Sequence, residues 1–172
     1  MARTRLPEHI PTLSYRRVST AEQADSGAGL EAQRAAIAAY AQGHGLSIDA
    51  EYVDAGVSGS VAPAQRPELV KALDVLSAAR SGVLLVAKSD RVARKAADLL
   101  ALCAQAEAQG WHVVAVDGSV DMTTSHGRFL TTVMAGVAEL ERDMIRSRTR
   151  DALAAKRAAG VRRGRPVTRA DD

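Results

Sequence analysis

Residues 82–87 have the sequence GVLLVA, an uninterrupted apolar run that is followed at once by the charged stretch KSDR at 88–91. Such runs are typical of strands that are covered on both faces, as in a parallel sheet flanked by helices. Further strand-like segments occur at 12–18, 48–53 and 111–116, and helical patterns at 30–43, 68–80 and 93–109 separate them. This alternation predicts an α/β fold with a mainly parallel sheet between helices.

A different pattern begins near Gly127. From there to Ala159 the chain has no proline and is dominated by helix formers, and Gly160 can end a helix. We predict one long helix with an apolar stripe of Leu130, Val133, Val137, Leu140 and Met144. The spacing suits a stripe that packs on the chain's own sheet as well as one that packs on a second subunit. The predicted organisation is a leader at 1–11, an α/β domain at 12–126, the long helix at 127–160 and a flexible basic tail at 161–172.

Length and composition exclude several classes of protein. The 172 residues suffice for one domain with a short extension. A single cysteine excludes an internal disulfide framework and a cysteine-rich zinc site, and 3% aromatic residues argue against a stacking platform for single strands. No apolar run is long enough to span a bilayer, and the N-terminus lacks the apolar region of a secretory signal. We therefore expect a cytoplasmic protein without membrane contact.

Charge is distributed unevenly along the chain. From Arg142 to the end there are ten basic and four acidic residues, whereas the preceding part holds thirteen basic and sixteen acidic residues. A basic C-terminal arm on a weakly acidic body indicates either a polyanionic partner or a solvated tail. The candidate residues of this arm for contact with a polyanion are Arg142, Arg146, Arg148, Arg150, Lys156, Arg157, Arg162, Arg163 and Arg165.

Polar residues follow two of the predicted strands. Tyr15, Arg17 and Ser19 alternate, so they point the same way along the first strand, and Ser19 lies at its carboxyl end. The charged residues that follow the buried run at 82–87 are Lys88, Asp90, Arg91 and Arg94. Because ligands bind outside the carboxyl ends of parallel strands, the two groups are expected to converge on one crevice.

A hydroxyl that faces several guanidinium groups indicates phosphoryl transfer, since arginines stabilise the charge that builds on the phosphate oxygens. On a continuous helix Arg91 and Arg94 would share a face, and Asp90 would lie four residues before Arg94 and could orient it. The same residues are also compatible with a capping serine and solvated arginines. The four histidines are scattered, Asp117 with Asp121 is a weak pair, and there is no Walker, GxGxxG or GxSxG motif.

Several motifs stand in register over roughly residues 12–166. They are YRRVST at 15–20 with Gln23, LEAQ at 30–33, Arg66, VLLVAKSDRVAR at 83–94 and GRFLTTVMAGVAELERDMIRSRT at 127–149. Together they resemble the catalytic domain of the serine site-specific recombinases, the resolvase/invertase family. Several separate motifs in the same order are far more specific than any one of them.

The resemblance implies a role for each matching residue. Ser19 would be the nucleophile that forms a 5′-phosphoserine link to double-stranded DNA. The remaining catalytic residues would be Arg17, Arg66, Arg91 and Arg94 around the phosphate, with Asp90 orienting an arginine or assisting proton transfer. Supporting residues would be Tyr15, Gln23, Gln33 and Lys88, and Arg142 and Arg148 match further basic positions. The resemblance implies no metal and no ATP, and it implies a homodimer that becomes a tetramer in the synaptic complex.

Two departures from the family pattern leave alternatives open. Ser89 stands where an apolar residue is usual. After VRRGRP at 161–166 the family normally continues into a DNA-binding domain, whereas this sequence ends at Asp172. We therefore expect either an excised catalytic domain or a natural protein without its own sequence-recognition domain. The alternative function is a catalytically weak dimerisation or regulatory module of the same fold, and a nucleotide-binding domain or nuclease is a third.

Overall fold

The computed structural model describes residues 10–20 and 28–158, without the side chains of residues 138, 141, 142 and 155–158. In this part of the chain one sheet has the strand order β2-β1-β3-β4-β5. Its strands are β1 (Thr12–Val18), β2 (Ala50–Ala55), β3 (Val83–Val86), β4 (His112–Ala115) and β5 (Val120–Asp121). The first four are parallel, and β5 is antiparallel to β4. The predicted α/β fold with a mainly parallel sheet is confirmed.

Helices connect the strands and cover both faces of the sheet. They are α1 (Ala28–Gly43), α2 (Pro67–Ala79), α3 (Ser89–Val92), α4 (Ala96–Gln109) and α5 (Ser125–Ala158), with one 3-10 turn at Pro63–Gln65. One core cluster joins Leu84 and Val86 of β3 to buried residues of α2 and α4. The other joins Val83 and Leu85 to Ile37 of α1. Strand β3 is therefore buried on both faces, as its unbroken apolar run predicts.

The helix predicted at 93–109 differs in its first turn. The short helix α3 ends at Val92, and Ala93 is extended, with φ −149° and ψ 132°. Helix α4 begins only at Ala96. The chain is therefore not one helix from Asp90 to Arg94. The predicted pairing of Asp90 with Arg94 across one helical turn is wrong, and Arg91 and Arg94 do not share a helical face.

The predicted long helix is present as α5, whose 34 residues span about 50 Å at 1.5 Å per residue. Its start lies tightly against β5, because a Cβ at Gly127 would be 1.6 Å from the backbone oxygen of Asp121. The chain divides into two compact units, Met1–Ala135 and Gly136–Asp172. The first contains the sheet and the beginning of α5, and the second contains the rest of α5. No helix in the described ranges is both long and apolar enough to cross a membrane.

Candidate active site at the carboxyl ends of β1 and β3

Strands β1 and β3 are direct parallel neighbours, so their carboxyl ends meet at one edge of the sheet. Ser19 comes immediately after β1, and the segment from Lys88 to Arg94 follows β3. Ser19 is partly exposed at this edge, whereas every residue of β1 is buried. The convergence predicted from the two strand ends is therefore what the sheet topology produces.

Arg17 and Arg91 tie these two strand ends together. The Arg17 side chain is buried, and its Nε donates to the backbone oxygen of Arg91 at 3.3 Å. Its Nη1 donates to the backbone oxygen of Val57 at 2.8 Å. In return, Nη1 of Arg91 donates to the backbone oxygen of Arg17 at 3.3 Å. Each guanidinium is therefore held by the main chain that carries the other.

Arg66 approaches the same place from the other side. Arg66 is fully buried. Its guanidinium donates hydrogen bonds of 2.7–3.2 Å to the backbone oxygens of Gly59, Val61, Arg91 and Val92. The Arg91 carbonyl thus accepts hydrogen bonds from two arginines. Carbonyl oxygens fix a guanidinium and satisfy its donors without cancelling its charge, so the interior of this edge is rich in positive charge.

The loop after β2 brings Arg94 into the cluster. Gly59 of this loop is buried, and a Cβ there would lie 2.9 Å from Nη2 of Arg17 and 3.2 Å from Cδ of Arg94. Arg94 itself is exposed, so its side chain lies at the rim rather than inside the edge. Packing against the loop that contains Gly59, not a shared helical turn, therefore brings Arg94 next to Arg17.

Gln33 fixes the end of β1 against α1. Its Oε1 accepts from the backbone nitrogen of Arg17 at 3.2 Å, and its Nε2 donates to the backbone oxygen of Arg17 at 3.1 Å. Nε2 also donates to the backbone oxygen of Gly29 at 3.0 Å. A buried amide with both ends occupied is a rigid link, so Gln33 holds the strand residue that precedes Ser19 by two.

Asp54 is a residue that the sequence analysis missed. It is buried at the end of β2 and accepts from the Tyr15 hydroxyl at 3.0 Å. It also accepts from the backbone nitrogens of Glu68 and Leu69 at 3.1 and 3.2 Å. These nitrogens belong to the first turn of α2, whose N-cap residue, Arg66, makes no capping bond with its own side chain. Asp54 thus caps α2 from a neighbouring strand, which leaves Arg66 to turn inwards.

A signal for Asp54 is present in the sequence. It directly follows the predicted strand 48–53, and the helix that begins with Pro67 has an arginine where a capping serine or aspartate is usual. Burial, and then the negative charge of Asp54, raise the pKa of Tyr15. The tyrosine hydroxyl is therefore neutral at physiological pH and acts as a donor inside the core. Tyr15 is fully buried, so its side chain does not line the crevice.

Asp90 pairs with Arg91 instead of Arg94. Its Oδ1 lies 3.4 Å from Nε of Arg91, and this buried oxygen accepts no hydrogen bond from any residue that the structure describes. Lys88 is exposed at the mouth of the site. Among the described residues, no three of His, Cys, Asp or Glu lie close enough together to hold a metal ion.

The structure describes only some of the residues predicted to function in the C-terminal part. Arg146, Arg148 and Arg150 are exposed on α5. The five residues of the predicted stripe are each 45–61% exposed: Leu130, Val133, Val137, Leu140 and Met144. Outside the described residues or side chains lie Gln23, Arg142, Lys156, Arg157, Arg162, Arg163 and Arg165.

Comparison with known proteins gives one consistent family. The model of the resolvase N-terminal domain matches residues 12–162. The chain is 35% identical over 155 residues to the transposon Tn2501 resolvase of Escherichia coli, which covers 89% of this chain and 74% of the relative. It is 35% identical over 157 residues to the DNA-invertase hin of Salmonella typhimurium, which covers 91% of this chain and 74% of the relative.

Solved structures agree with the sequence relatives. The N-terminal catalytic domain of TP901-1 integrase superposes with a TM-score of 0.70 at 27% identity, over 78% of this chain and 98% of that domain. A resolvase family site-specific recombinase from Streptococcus pneumoniae has a TM-score of 0.67 at 28% identity, over 87% of this chain and 99% of that one.

Proposed function

Because this chain belongs to the resolvase/invertase family of serine recombinases as a catalytic domain, we propose that it cuts and rejoins DNA strands through a covalent link to Ser19. The observation that carries the proposal is the set of arginines at the edge of the sheet where β1 ends. Arg17 and Arg66 both donate to the backbone oxygen of Arg91, Arg91 donates to the backbone oxygen of Arg17, and Ser19 lies two residues beyond Arg17.

The proposed reaction is a transesterification. The Ser19 oxygen attacks the phosphorus of a DNA phosphodiester, the bond from phosphorus to the 3′ oxygen breaks, and the proton lost by Ser19 reaches the departing 3′ hydroxyl. The products are a 5′-phosphoserine and a free 3′ hydroxyl. Rejoining is the reverse reaction with a 3′ hydroxyl from another strand end. One ester replaces another, so the step needs no ATP.

The arginines supply the charge that this reaction requires. As Ser19 attacks, negative charge grows on the non-bridging phosphate oxygens, and fixed guanidinium groups stabilise it. Arginine suits this role because it stays protonated and donates two hydrogen bonds in one plane. We propose that Arg17, Arg91 and Arg94 contact the phosphate. Arg66, whose donors are occupied by carbonyls, adds its charge and holds Arg91. Asp90 orients Arg91, and no metal is needed.

The partner proposed for this site is double-stranded DNA, in line with relatives that are named a transposon resolvase and a DNA-invertase. Exposed Arg146, Arg148 and Arg150 on α5 would contact phosphates, an attraction that weakens with salt. The exposed apolar stripe of α5 is proposed to pair two chains, because cutting both strands of a duplex takes two nucleophiles. Two such dimers would form the tetramer in which strands are exchanged.

The experiment that tests the function is a search for the covalent adduct. The full chain is fused at Asp172 to a DNA-binding domain of known target, so that weak general DNA binding does not limit the reaction. We expect a denaturation-resistant adduct that carries the label of the 5′-phosphate fragment, with or without a chelator. Ser19→Ala should abolish it.

Thr20→Ala is the matched control, since this neighbouring hydroxyl is exposed and bonds to the backbone oxygen of Gly56 at 3.2 Å. Thr20→Ala should keep the adduct. An adduct that survives in Ser19→Ala contradicts the nucleophile, and an adduct that needs a divalent metal contradicts the mechanism. A wild-type fusion that dimerises without forming any adduct supports the regulatory alternative instead.

A further inference from the structure

A groove runs from the arginine cluster along one side of α1. Its inner part, of about 140 Å³, is lined by residues that include Gln33, Lys88 and Arg91. Its outer part, of about 300 Å³, shares Gln33 and Lys88 and extends to Asp117 after β4. We propose that this α1 groove holds the sugar of the nucleotide next to the scissile phosphate, with Lys88 on the neighbouring phosphate. The inference rests on the DNA-cleaving function proposed above.

The lining of the groove suits a sugar better than a base edge or a charged group. Ala32 and Ala36 of α1 face Ala87 after β3 and Val116 after β4, so the walls are mostly methyl groups. The apolar C–H face of a deoxyribose can pack on methyl groups. Such packing takes no hydrogen-bond partner away from a polar side chain of the walls. The volume fits part of one nucleotide and is too small for a length of duplex.

Lys88 provides the charge at this groove. Its side chain is exposed, and its ammonium group makes no hydrogen bond or ion pair with any residue that the structure describes. A lysine on a flexible stem is a suitable point contact for a phosphate. Because Lys88 lines both parts of the groove, a phosphate bound there would lie beside a sugar in the groove.

The groove is also coupled to the catalytic residues. Arg91 lines its inner part, and Gln33 holds the backbone of Arg17 through both ends of its amide. A nucleotide in the groove would therefore contact the side chain of Arg91 and also Gln33, which holds Arg17. Both arginines are proposed phosphate ligands. At the other end, the exposed Asp117 repels phosphates, so the strand is expected to leave the groove after one nucleotide.

Methylphosphonate substitution tests the Lys88 contact directly, because it removes the charge of one chosen phosphate. The cleavage fusion is given duplexes with the substitution at either phosphate adjacent to the scissile one. We expect one position to slow adduct formation by wild type about tenfold, the size of one lost charged hydrogen bond. Adduct formation by Lys88→Ala should be slowed to the same extent on unmodified DNA, and the methylphosphonate at that position should not slow it further. Lys88→Arg should retain most of the wild-type rate.

Two controls separate the groove from general effects. Lys95→Ala removes a nearby exposed lysine that does not line the groove and should behave as wild type. Ala36→Leu fills the groove and should slow the adduct about tenfold or more, whereas Ala35→Leu, at an exposed α1 position outside the lining, should not. Circular dichroism checks that all five variants, the two at Lys88 included, keep the fold.

The outcomes distinguish this inference from the proposed function. If wild type forms no Ser19-dependent adduct on unmodified DNA, the function itself is wrong. If wild type forms the adduct but Lys88→Ala responds to both methylphosphonates as wild type does, the contact is refuted. If Ala36→Leu and Ala35→Leu react equally fast, the groove holds no part of the strand.

Discussion

Replacing Asp54 by asparagine tests whether this buried carboxylate positions the arginine cluster. One oxygen, Oδ2, accepts from the Tyr15 hydroxyl and the Leu69 nitrogen, and the other, Oδ1, accepts from the Glu68 nitrogen. In Asp54→Asn the amide oxygen can take the place of Oδ2. The amide nitrogen then faces the Glu68 N–H, where two donors meet and one hydrogen bond is lost.

The expected magnitude follows from these contacts. Losing a helix cap lowers stability by about 0.5–2 kcal/mol, and hydrogen bonds to a charged acceptor are worth about 1.5–3 kcal/mol each. One lost bond and two weakened ones give an expected loss of about 2–4 kcal/mol in the free energy of unfolding. Because the first turn of α2 then loosens next to Arg66, the rate of adduct formation should also fall, by about 10- to 100-fold.

The assay combines denaturant unfolding with the rate of adduct formation under conditions where each variant is folded. Asp49→Asn is the matched control. The Asp49 carboxylate also accepts a hydrogen bond from a backbone nitrogen, that of Thr12 at 2.8 Å, but at the opposite end of the sheet. The substitution should lower stability without slowing the reaction of the folded protein. An Asp54→Asn protein that unfolds within about 0.5 kcal/mol of wild type, or that reacts as fast as Asp49→Asn, refutes the reasoning.

Three further predictions address the glycine loop, the apolar stripe and the single thiol. Gly59→Ala should slow adduct formation at least about tenfold, because the new methyl would lie 2.9 Å from Nη2 of the buried Arg17 and displace a guanidinium that backbone carbonyls hold; an unchanged rate would contradict it. The double variant Val137→Lys/Leu140→Lys should keep its helical circular dichroism, because these side chains are 53% and 61% exposed in one chain. It should sediment as a monomer and have no cleavage activity. Unfolding of the variant, or an unchanged assembly state, would contradict the proposed interface. Burial raises the pKa of Cys103 to about 11, so the native thiol should alkylate slowly at pH 8 and faster as the pH approaches 11. Its contribution to the free energy of unfolding should be present below pH 9 and decline from pH 9 to 11. Rapid alkylation of the folded chain at pH 8 would contradict this, because it would show the thiol to be accessible.

The sequence predicts the frame of the site because the frame depends on local pattern. The apolar run at 82–87 identifies a strand buried on both faces, and the alternation with helices implies parallel neighbours. Their carboxyl ends must then meet, which places Ser19 near Arg91 before any coordinates are known. The long helix is equally predictable, since it lacks proline over its whole length.

The contacts inside the site depend on tertiary structure and could not be predicted in this way. Arg94 joins the cluster through the loop at Gly59, after Ala93 has broken the helix that its spacing suggests. Arg66 donates to backbone carbonyls of two separate segments, at Gly59 and at Arg91, and backbone carbonyls carry no side-chain signal. Asp54 caps a helix that begins thirteen residues later, and a local search for capping residues does not extend that far.

Strand cleavage by Ser19 is the central claim, and mass spectrometry of the adduct tests it most directly. The trapped complex is digested with nuclease and protease, and the peptide that carries the remaining nucleotide is sequenced. We predict a single modified residue, Ser19, linked through a 5′ phosphate. A nucleotide on Thr20, on Ser58 or Ser60 of the glycine loop, or on any residue through a 3′ phosphate would contradict the account.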